Sequence, residues 1–496
     1  MYFMMRIVAT VLFSTAVINA GGWEDSDHTE AALRQLHQAT KWQQNGQSLL
    51  SLSALRTLRD PDLRPFFQQF SQHSEWSVQV HAVLGIAELS EDQTIDPWLV
   101  QQIAPTAREH VVAQALDDGL FQQEQIEALL KWPLLETSPR LLLLADLQLL
   151  TGTVDKEALK KLSNNTDLTV AMFAALLSGD ENSIEKTTQI LRRATKNDRR
   201  YALQRTNQLI RQYELTSSSE WLHSLLEKKI VTLTDQERYW MLYTLLAIDT
   251  ESGLDLWERA FPIEPERIDK VNYLLLLLES GVVPTPEHIK RLKIELDDPL
   301  LGLMVRAGNV NKDPSEITSE DIDNLVLLVE QGHRSSVDWA LRVADDHLTQ
   351  SQAESFYKPL ATIPESTNPR RKSVATKAFT ELIDISPDVA WEILRTAKDD
   401  SEQQQLLLLA MLQIPNDNVV NEAMKLRRIG LNKADIMTLL LIARGKTKLQ
   451  ENDQEYLGII AAGGGHISPA LETQAAWLYL RRMGLTDKAL AAVRPR

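Results

Sequence analysis

The chain has 496 residues, 44% of them hydrophobic, 24% charged and 6% aromatic, with a formal charge of −16 and no cysteine. That length exceeds one ordinary compact core and calls for several domains or an extended array, while the composition excludes both a disordered chain and one embedded throughout in lipid. The acidic balance disfavours nucleic acid and anionic membrane as partners, because phosphates must be met by Lys and Arg, and the absence of cysteine leaves stability to core burial.

Residues 1–20 combine Arg6, an apolar run from Ile7 to Ile18 and a small residue, Ala20, ahead of two glycines. This is the layout of a secretory signal peptide cleaved after Ala20, too short to span a bilayer. No cysteine follows to carry a lipid anchor. Loss of Arg6 with the signal takes the formal charge from −16 to −17. The expected mature chain is periplasmic or secreted and has no membrane span: even YLLLLLESGVV at 273–283 is interrupted by Glu279 and Gly281.

From there the sequence reads as helices, in runs of roughly 10 to 18 residues with apolar positions three and four apart. EWSVQVHAVLGIAEL at 75–89 places Val78, Ala82, Gly85, Ile86 and Leu89 on one pattern, and DLTVAMFAALL at 167–177 repeats it with Asp167, Val170, Ala174 and Leu177. RRKSVATKAFTELID at 370–384 repeats it again with Val374, Ala378 and Leu382. These segments resemble the second helix of a HEAT repeat, with Gln79 where the family usually has arginine and Gly85 where it usually has alanine. Val78 and Val170 are 92 residues apart, which is about two units of 40 to 47 residues. The resemblance implies an all-α fold, an α-solenoid of stacked antiparallel helix pairs forming a right-handed superhelix.

Between runs, Pro97, Pro133, Pro139, Pro262, Pro265, Pro284, Pro286 and Pro299 mark joints, and SVDWALRVADDHL (336–348) and DVAWEILRTA (388–397) continue the helical period. No stretch alternates as a strand would. Larger joints fall at TSSSE (216–220), at 309–319 and at 357–373. They divide the mature chain into N-terminal repeats at 21–215, middle repeats at 216–358 and C-terminal repeats at 359–496.

LRRIGLNKA at 426–434 is nearly rewritten 54 positions later as LRRMGLTDKA at 480–489. Each copy reads as a helix-hairpin joint. Gly430 and Gly484 supply a left-handed closing residue, the arginine pairs complement the helix C-terminus, and Asn432 and Thr486 cap the next helix. The second copy also resembles a tetratricopeptide hairpin, with Gly484 followed five residues later by Ala489.

Segments suggestive of chemistry each carry a plainer reading. NVNKDPSEITSE at 309–320 spaces Asn309, Asn311, Asp313, Ser315 and Glu320 as calcium-loop ligands, but Pro314 stands where that loop requires glycine. It reads as a polar connector with Thr318 or Ser319 capping the following helix. GGGHISPALETQ at 463–474 has three glycines and His466 but no lysine and hydroxyl pair of a phosphate loop, and reads as a loop before a helix capped by Ser468 with Pro469 in its first turn. The ten histidines, His81 among them, form no HExxH motif and no pair four apart. Arginine pairs at 192, 199, 370, 427 and 481 lie at inferred helix ends, and most of the 11 tryptophans read as core wedges. No catalytic, cofactor-binding or metal residue emerges. The expectation is a non-catalytic exported scaffold that binds a protein or peptide partner in the cell envelope, because solenoids build long binding surfaces. The alternative is a glycan-binding or glycan-degrading envelope protein with an α/α-toroid or superhelical fold, in which tryptophans stack on sugar.

Overall fold

A computed structural model describes residues 25–39, 47–227, 232–260, 264–362, 369–412, 414, 417–428, 430, 432–445, 448–463 and 467–493. The expected signal peptide, its cleavage site and His466 lie outside these residues. Among the described residues the regular structure is 29 α-helices and four short 3-10 turns, with no strand. None of these helices is long and apolar enough to cross a membrane. The chain divides into two compact units, one of residues 140–360 and the other of the described residues up to Pro139 together with those from Ala361 onward.

In the 140–360 unit every second helix packs on the next. Leu168–Ser178 lies on Lys196–Gln212, which lies on Asp235–Ile248, then Arg267–Glu279, then Pro299–Ala307. The intervening Glu181–Arg193, Ser219–Glu227 and Thr250–Ala260 pack on row members beside them, and Arg334–Asp346 packs on Arg267–Glu279. Position in the row explains sequence character. Leu168–Ser178 is buried on nearly all sides, so LTVAMFAALLS is apolar throughout rather than striped. The carboxylate of Asp167 starts this helix by accepting from the amides of Thr169 and Val170, at 2.8 and 3.1 Å, and Gly179 ends it at φ +65°.

In the other unit the same alternation runs from Pro369–Ile385 through Glu402–Met411 and Lys433–Arg444 to Pro469–Arg482. The row then crosses from the last helices to the first. Pro469–Arg482 packs on Gln47–Thr57, which packs on Trp76–Glu88, which packs on Pro105–Asp117, while Asp25–Ala39 covers Pro469–Arg482 and Glu451–Ala461. Buried polar bonds fix this seam. Thr473 meets Ser51 at 3.2 Å, Gln474 donates to the carbonyl of Ala54 at 2.7 Å, and the Asp60 carboxylate accepts from Trp477 Nε1 at 2.8 Å and Arg481 Nη1 at 2.7 Å.

The segment 75–89 forms the helix Trp76–Glu88, and the two residues noted there as departing from the expected pattern have local roles. Gln79, in place of arginine, donates to the carbonyl of His73 at 2.7 Å and accepts from the amide of Ala104 at 2.9 Å, tying two loops together. Gly85, in place of alanine, leaves room for the ring of Phe67, which an added Cβ would approach to 2.9 Å.

Of the expected joints, 309–319 holds two 3-10 turns, Gly308–Asn311 and Pro314–Glu316, and 357–373 spans the end of the 140–360 unit. TSSSE forms a 3-10 turn, Thr216–Ser218, leading into Ser219–Glu227, and lies inside the 140–360 unit. At 357–373 the helix Gln350–Ala361 continues through Pro359 and Pro369–Ile385 begins the next, so helix covers most of a stretch read as irregular.

The two copies of the repeated phrase also diverge. In the second, Gly484 is left-handed at φ +69°, and the amides of Gly484 and Leu485 return to the carbonyls of Arg481 and Leu480 at 3.0 and 2.8 Å. In the first, helix Asp417–Leu426 stops before the arginines and Gly430 is not left-handed. Asn432 caps Lys433–Arg444 through the amide of Asp435 at 2.8 Å, as expected. Thr486 does not cap; it is already the first residue of Thr486–Ala492, because the Gly484 closure lets the next helix start at once. Nor do the arginines serve their own helix ends. Arg481 and Arg482 donate to carbonyls of residues 443–445, the C-terminal end of the neighbouring Lys433–Arg444, while Arg427 pairs with Asp453 at 2.7 Å and Arg428 with Asp399.

Candidate functional site

The described residues of the segments suggestive of chemistry make local structural bonds. In 309–320, Asn311 Nδ2 donates to the carbonyls of Leu278 and Val282 at 3.0 and 3.2 Å, and Asp313 accepts from the amide and hydroxyl of Ser315 at 2.9 and 2.6 Å. Thr318 caps Ser319–Gln331 in a reciprocal box with Asp321. Ser468 caps Pro469–Arg482 with Pro469 in the first turn. His81 stands 3.2 Å from Arg56, and burial, with the Arg56 charge second, lowers its pKa to about 4, so it is neutral at physiological pH. No group of three His, Cys, Asp or Glu side chains that could hold a metal ion occurs among the described residues. Of the nine described tryptophans, Trp221, Trp257, Trp339, Trp391 and Trp477 are buried in the core, whereas Trp98 is 59% exposed.

The densest unexplained polar group lies in the 140–360 unit, on successive members of its row. Buried Leu203, Leu209 and Ile210 set the face of Lys196–Gln212 that enters the core, leaving Arg211 half-buried at its end. In Asp235–Ile248, buried Met241, Leu242, Leu245 and Leu246 do the same, and Tyr239 and Tyr243, one turn apart, fall on a half-buried face. Glu279 is the last residue of Arg267–Glu279, where Gly281 at φ +74° reverses the chain. Arg342 sits one turn beyond Trp339 and Asp338 on Arg334–Asp346.

These residues converge. Arg342 Nη2 donates to Glu279 Oε1 at 2.9 Å, the Arg211 guanidinium lies 4.5 Å over the ring of Tyr243, and its Nη1 donates to Thr244 Oγ1 at 2.6 Å. Arg211 Nε is buried with no hydrogen-bond partner among the described residues. Burial is the chief influence on Arg211, Tyr239, Tyr243 and Glu279. It raises Glu279, opposed by Arg342, Arg211 and a hydrogen bond from Tyr243. It also raises Tyr243, with help from Glu279, to about 12 and pushes Tyr239 up as well. Both phenols therefore stay protonated and able to donate. Adjoining the Glu279–Arg342 pair is a cavity of about 240 Å³ whose lining includes Trp339, Val343, Asn311 and His347. Trp339 Nε1 donates to the carbonyl of Leu278 at 2.9 Å, which fixes the indole as a wall.

Sequence reasoning missed this cluster. Its local signals were the tyrosines four apart and the glutamate ending a run of five leucines. The pairing of Glu279 with Arg342, 63 residues away, has no local signal. No family model matches the chain, and no curated protein or solved structure is significantly similar to it.

Proposed function

We propose that this chain is an exported, non-catalytic helical-repeat protein, an α-solenoid with HEAT-like and tetratricopeptide-like helix pairs, that binds a protein or peptide partner in the cell envelope. The observation that carries the reading is the Arg211, Tyr239, Tyr243, Glu279 and Arg342 cluster, assembled from four helices. Arginine and tyrosine are the residues that dominate binding hot spots, and a stacked row of helices is the scaffold that lines them up. The test is a photo-crosslinking amino acid at Tyr239 in cells, with a second chain carrying it at exposed Leu149 as control. Capture of one discrete protein at 239 and not at 149 supports the reading; indistinguishable patterns overturn it. Export is tested separately: the mature chain is expected to begin at Gly21 in the periplasm or medium, and exported protein that retains Met1 refutes this.

One observation favours the glycan reading. A carboxyl raised by burial beside two tyrosines, as Glu279 is, has the setting of a general acid. Release of new reducing ends from cell-wall polysaccharide by the wild type, abolished in Glu279→Gln, would establish it over the scaffold reading.

A further inference from the structure

We propose that the outward face shared by the neighbouring helices Lys196–Gln212 and Asp235–Ile248 is a docking surface for an acidic, extended segment of a partner protein. The inference rests on the partner-binding reading above and gives that partner a chemistry.

The sequence of the first helix sets the charge. From 199 to 212 it reads RRYALQRTNQLIRQ, with four arginines and no aspartate or glutamate, in a chain whose formal charge is −16. Buried Ala202, Leu203, Thr206, Leu209 and Ile210 fix the side that enters the core. Arg200 and Arg211 fall outside that side, eleven residues and almost three full turns apart, so they share one stripe with Gln204 and Gln208. Beside them Tyr201 is 66% exposed, and Arg200 is itself exposed, so this end of the stripe is open to solvent.

The second helix gives the arginines a surface to lie on. The Arg200 guanidinium stands 5.8 Å over the Trp240 ring and that of Arg211 stands 4.5 Å over Tyr243. A stacked guanidinium keeps its N–H edge for a planar acceptor. Arg200 has no hydrogen bond or ion pair among the described residues, whereas its neighbour Arg199 is taken by buried Glu237 at 3.2 Å. Arg211 donates to Thr244 through Nη1 and has an unpartnered Nε, and Glu279, the one carboxylate that acts on it, accepts from Arg342 at 2.9 Å. Asp235, the other carboxylate of the second helix, acts on Tyr273 of the next row member. The face therefore has surplus positive charge over an aromatic floor.

Spacing and net charge choose the occupant. Eleven residues of helix span about 16 Å, which an extended peptide covers in about five residues, so two carboxylates at about that separation reach both arginines. The exposed Tyr201 ring beside the stripe offers a rigid, amphipathic contact to the side chains between the carboxylates. A nucleic acid or an anionic bilayer would bring many negative charges up against the −16 of the whole chain, whereas an acidic segment brings few.

The experiment uses the full mature chain and fluorescence anisotropy with labelled octapeptides blocked at both ends. Gly-Glu-Ala-Leu-Gly-Ala-Glu-Gly has spaced glutamates, Gly-Ala-Leu-Glu-Glu-Gly-Ala-Gly has the same composition with the glutamates adjacent, and a third has glutamine for both spaced glutamates. The spaced peptide is expected to bind at least about tenfold more tightly than the glutamine peptide and about threefold more tightly than the adjacent one. Arg200→Gln should weaken the spaced peptide about threefold and Arg200→Glu about tenfold, with the glutamine peptide unchanged and helical circular dichroism retained. Arg334→Gln, at an arginine 88% exposed elsewhere in the same unit, should change nothing. The three peptides on the wild-type chain give a reading that depends on no variant. Equal binding of acid and glutamine peptides, equal binding of the two acidic peptides, an equal loss in Arg334→Gln, or no binding at millimolar peptide each overturns the proposal. Tighter binding of oligothymidylate or of phosphatidylglycerol vesicles than of the spaced peptide overturns it too, in favour of nucleic acid or membrane. If crosslinking at Tyr239 captures a partner and the capture survives Arg200→Glu, the partner-binding reading stands and the acidic-segment surface falls.

Discussion

Gly85 lies in mid-helix, where alanine would ordinarily add stability of about 1 kcal/mol by restricting the unfolded chain. Here the added methyl would press on the body of the Phe67 ring at 2.9 Å, with Phe67 itself packed edge-on against Phe66. Overpacking of this kind costs about 1–3 kcal/mol, so Gly85→Ala should lower stability by about 1 kcal/mol net. In a Phe67→Leu background the same change should become neutral or stabilising; denaturant melts of the four proteins check both signs. The glycines of the repeated phrase make a second pair. Gly484, at φ +69°, cannot take a side chain without backbone strain, so Gly484→Ala should cost about 1 kcal/mol. At Gly430 the added methyl meets only the carboxylate end of Asp435, which can swing aside. Gly430→Ala should therefore be the milder change. Equal effects would show that the two copies close their helices alike after all.

At the scale of elements, the contact between Asp25–Ala39 and Pro469–Arg482 contains a pH-sensitive group. Burial alone raises Glu472 to about 7, and its carboxylate accepts from Gln35 Nε2 at 3.3 Å. A carboxyl whose folded pKa lies above its unfolded value contributes stability that is complete below about pH 4.5 and is lost as pH rises through 7. A shift of that size would be worth about 3 kcal/mol if fully realised, and solvent contact at this half-buried side chain brings it to about 1 kcal/mol. Melting temperature should thus fall between pH 5 and 8, and Glu472→Gln should flatten the decline; an unchanged slope in that variant would locate the effect elsewhere. The elements themselves show what a sequence makes legible. Caps at Asp167, Thr318, Asn432 and Ser468 were readable or nearly so, because a side chain bonding to an amide two or three residues on is a local event. The stopping point of Asp417–Leu426 was not, since Arg427 is drawn out of the helix toward Asp453, 26 residues away. The Arg211 to Arg342 cluster was hidden for the same reason: each member looks like ordinary surface until four helices are stacked.

At the scale of the whole molecule, the helical class was legible from period alone, but the grouping of helices was not, because it depends on which row ends meet. Sequence places 21–215 and 359–496 at opposite ends of an array, whereas Gln47–Thr57 and Pro469–Arg482 are adjacent members of one row. The consequence for folding is asymmetric. The 140–360 unit is continuous in sequence and carries its own row of buried helices, so a fragment of residues 137–362, which keeps the helices Thr137–Thr151 and Gln350–Ala361 whole, should fold alone with a cooperative melt. A fragment of 369–496 should not. Without the first helices it leaves Thr473, Gln474, Trp477 and Arg481 without the partners that Ser51, Ala54, Thr57 and Asp60 provide. Co-expression with residues 21–139 should restore protease resistance to it, and Asp60→Ala, which removes the carboxylate that both Trp477 and Arg481 use, should weaken that rescue by about 2–4 kcal/mol. A 369–496 fragment that melts cooperatively by itself would show that the seam joining the first and last helices is a contact between finished parts rather than the middle of one core.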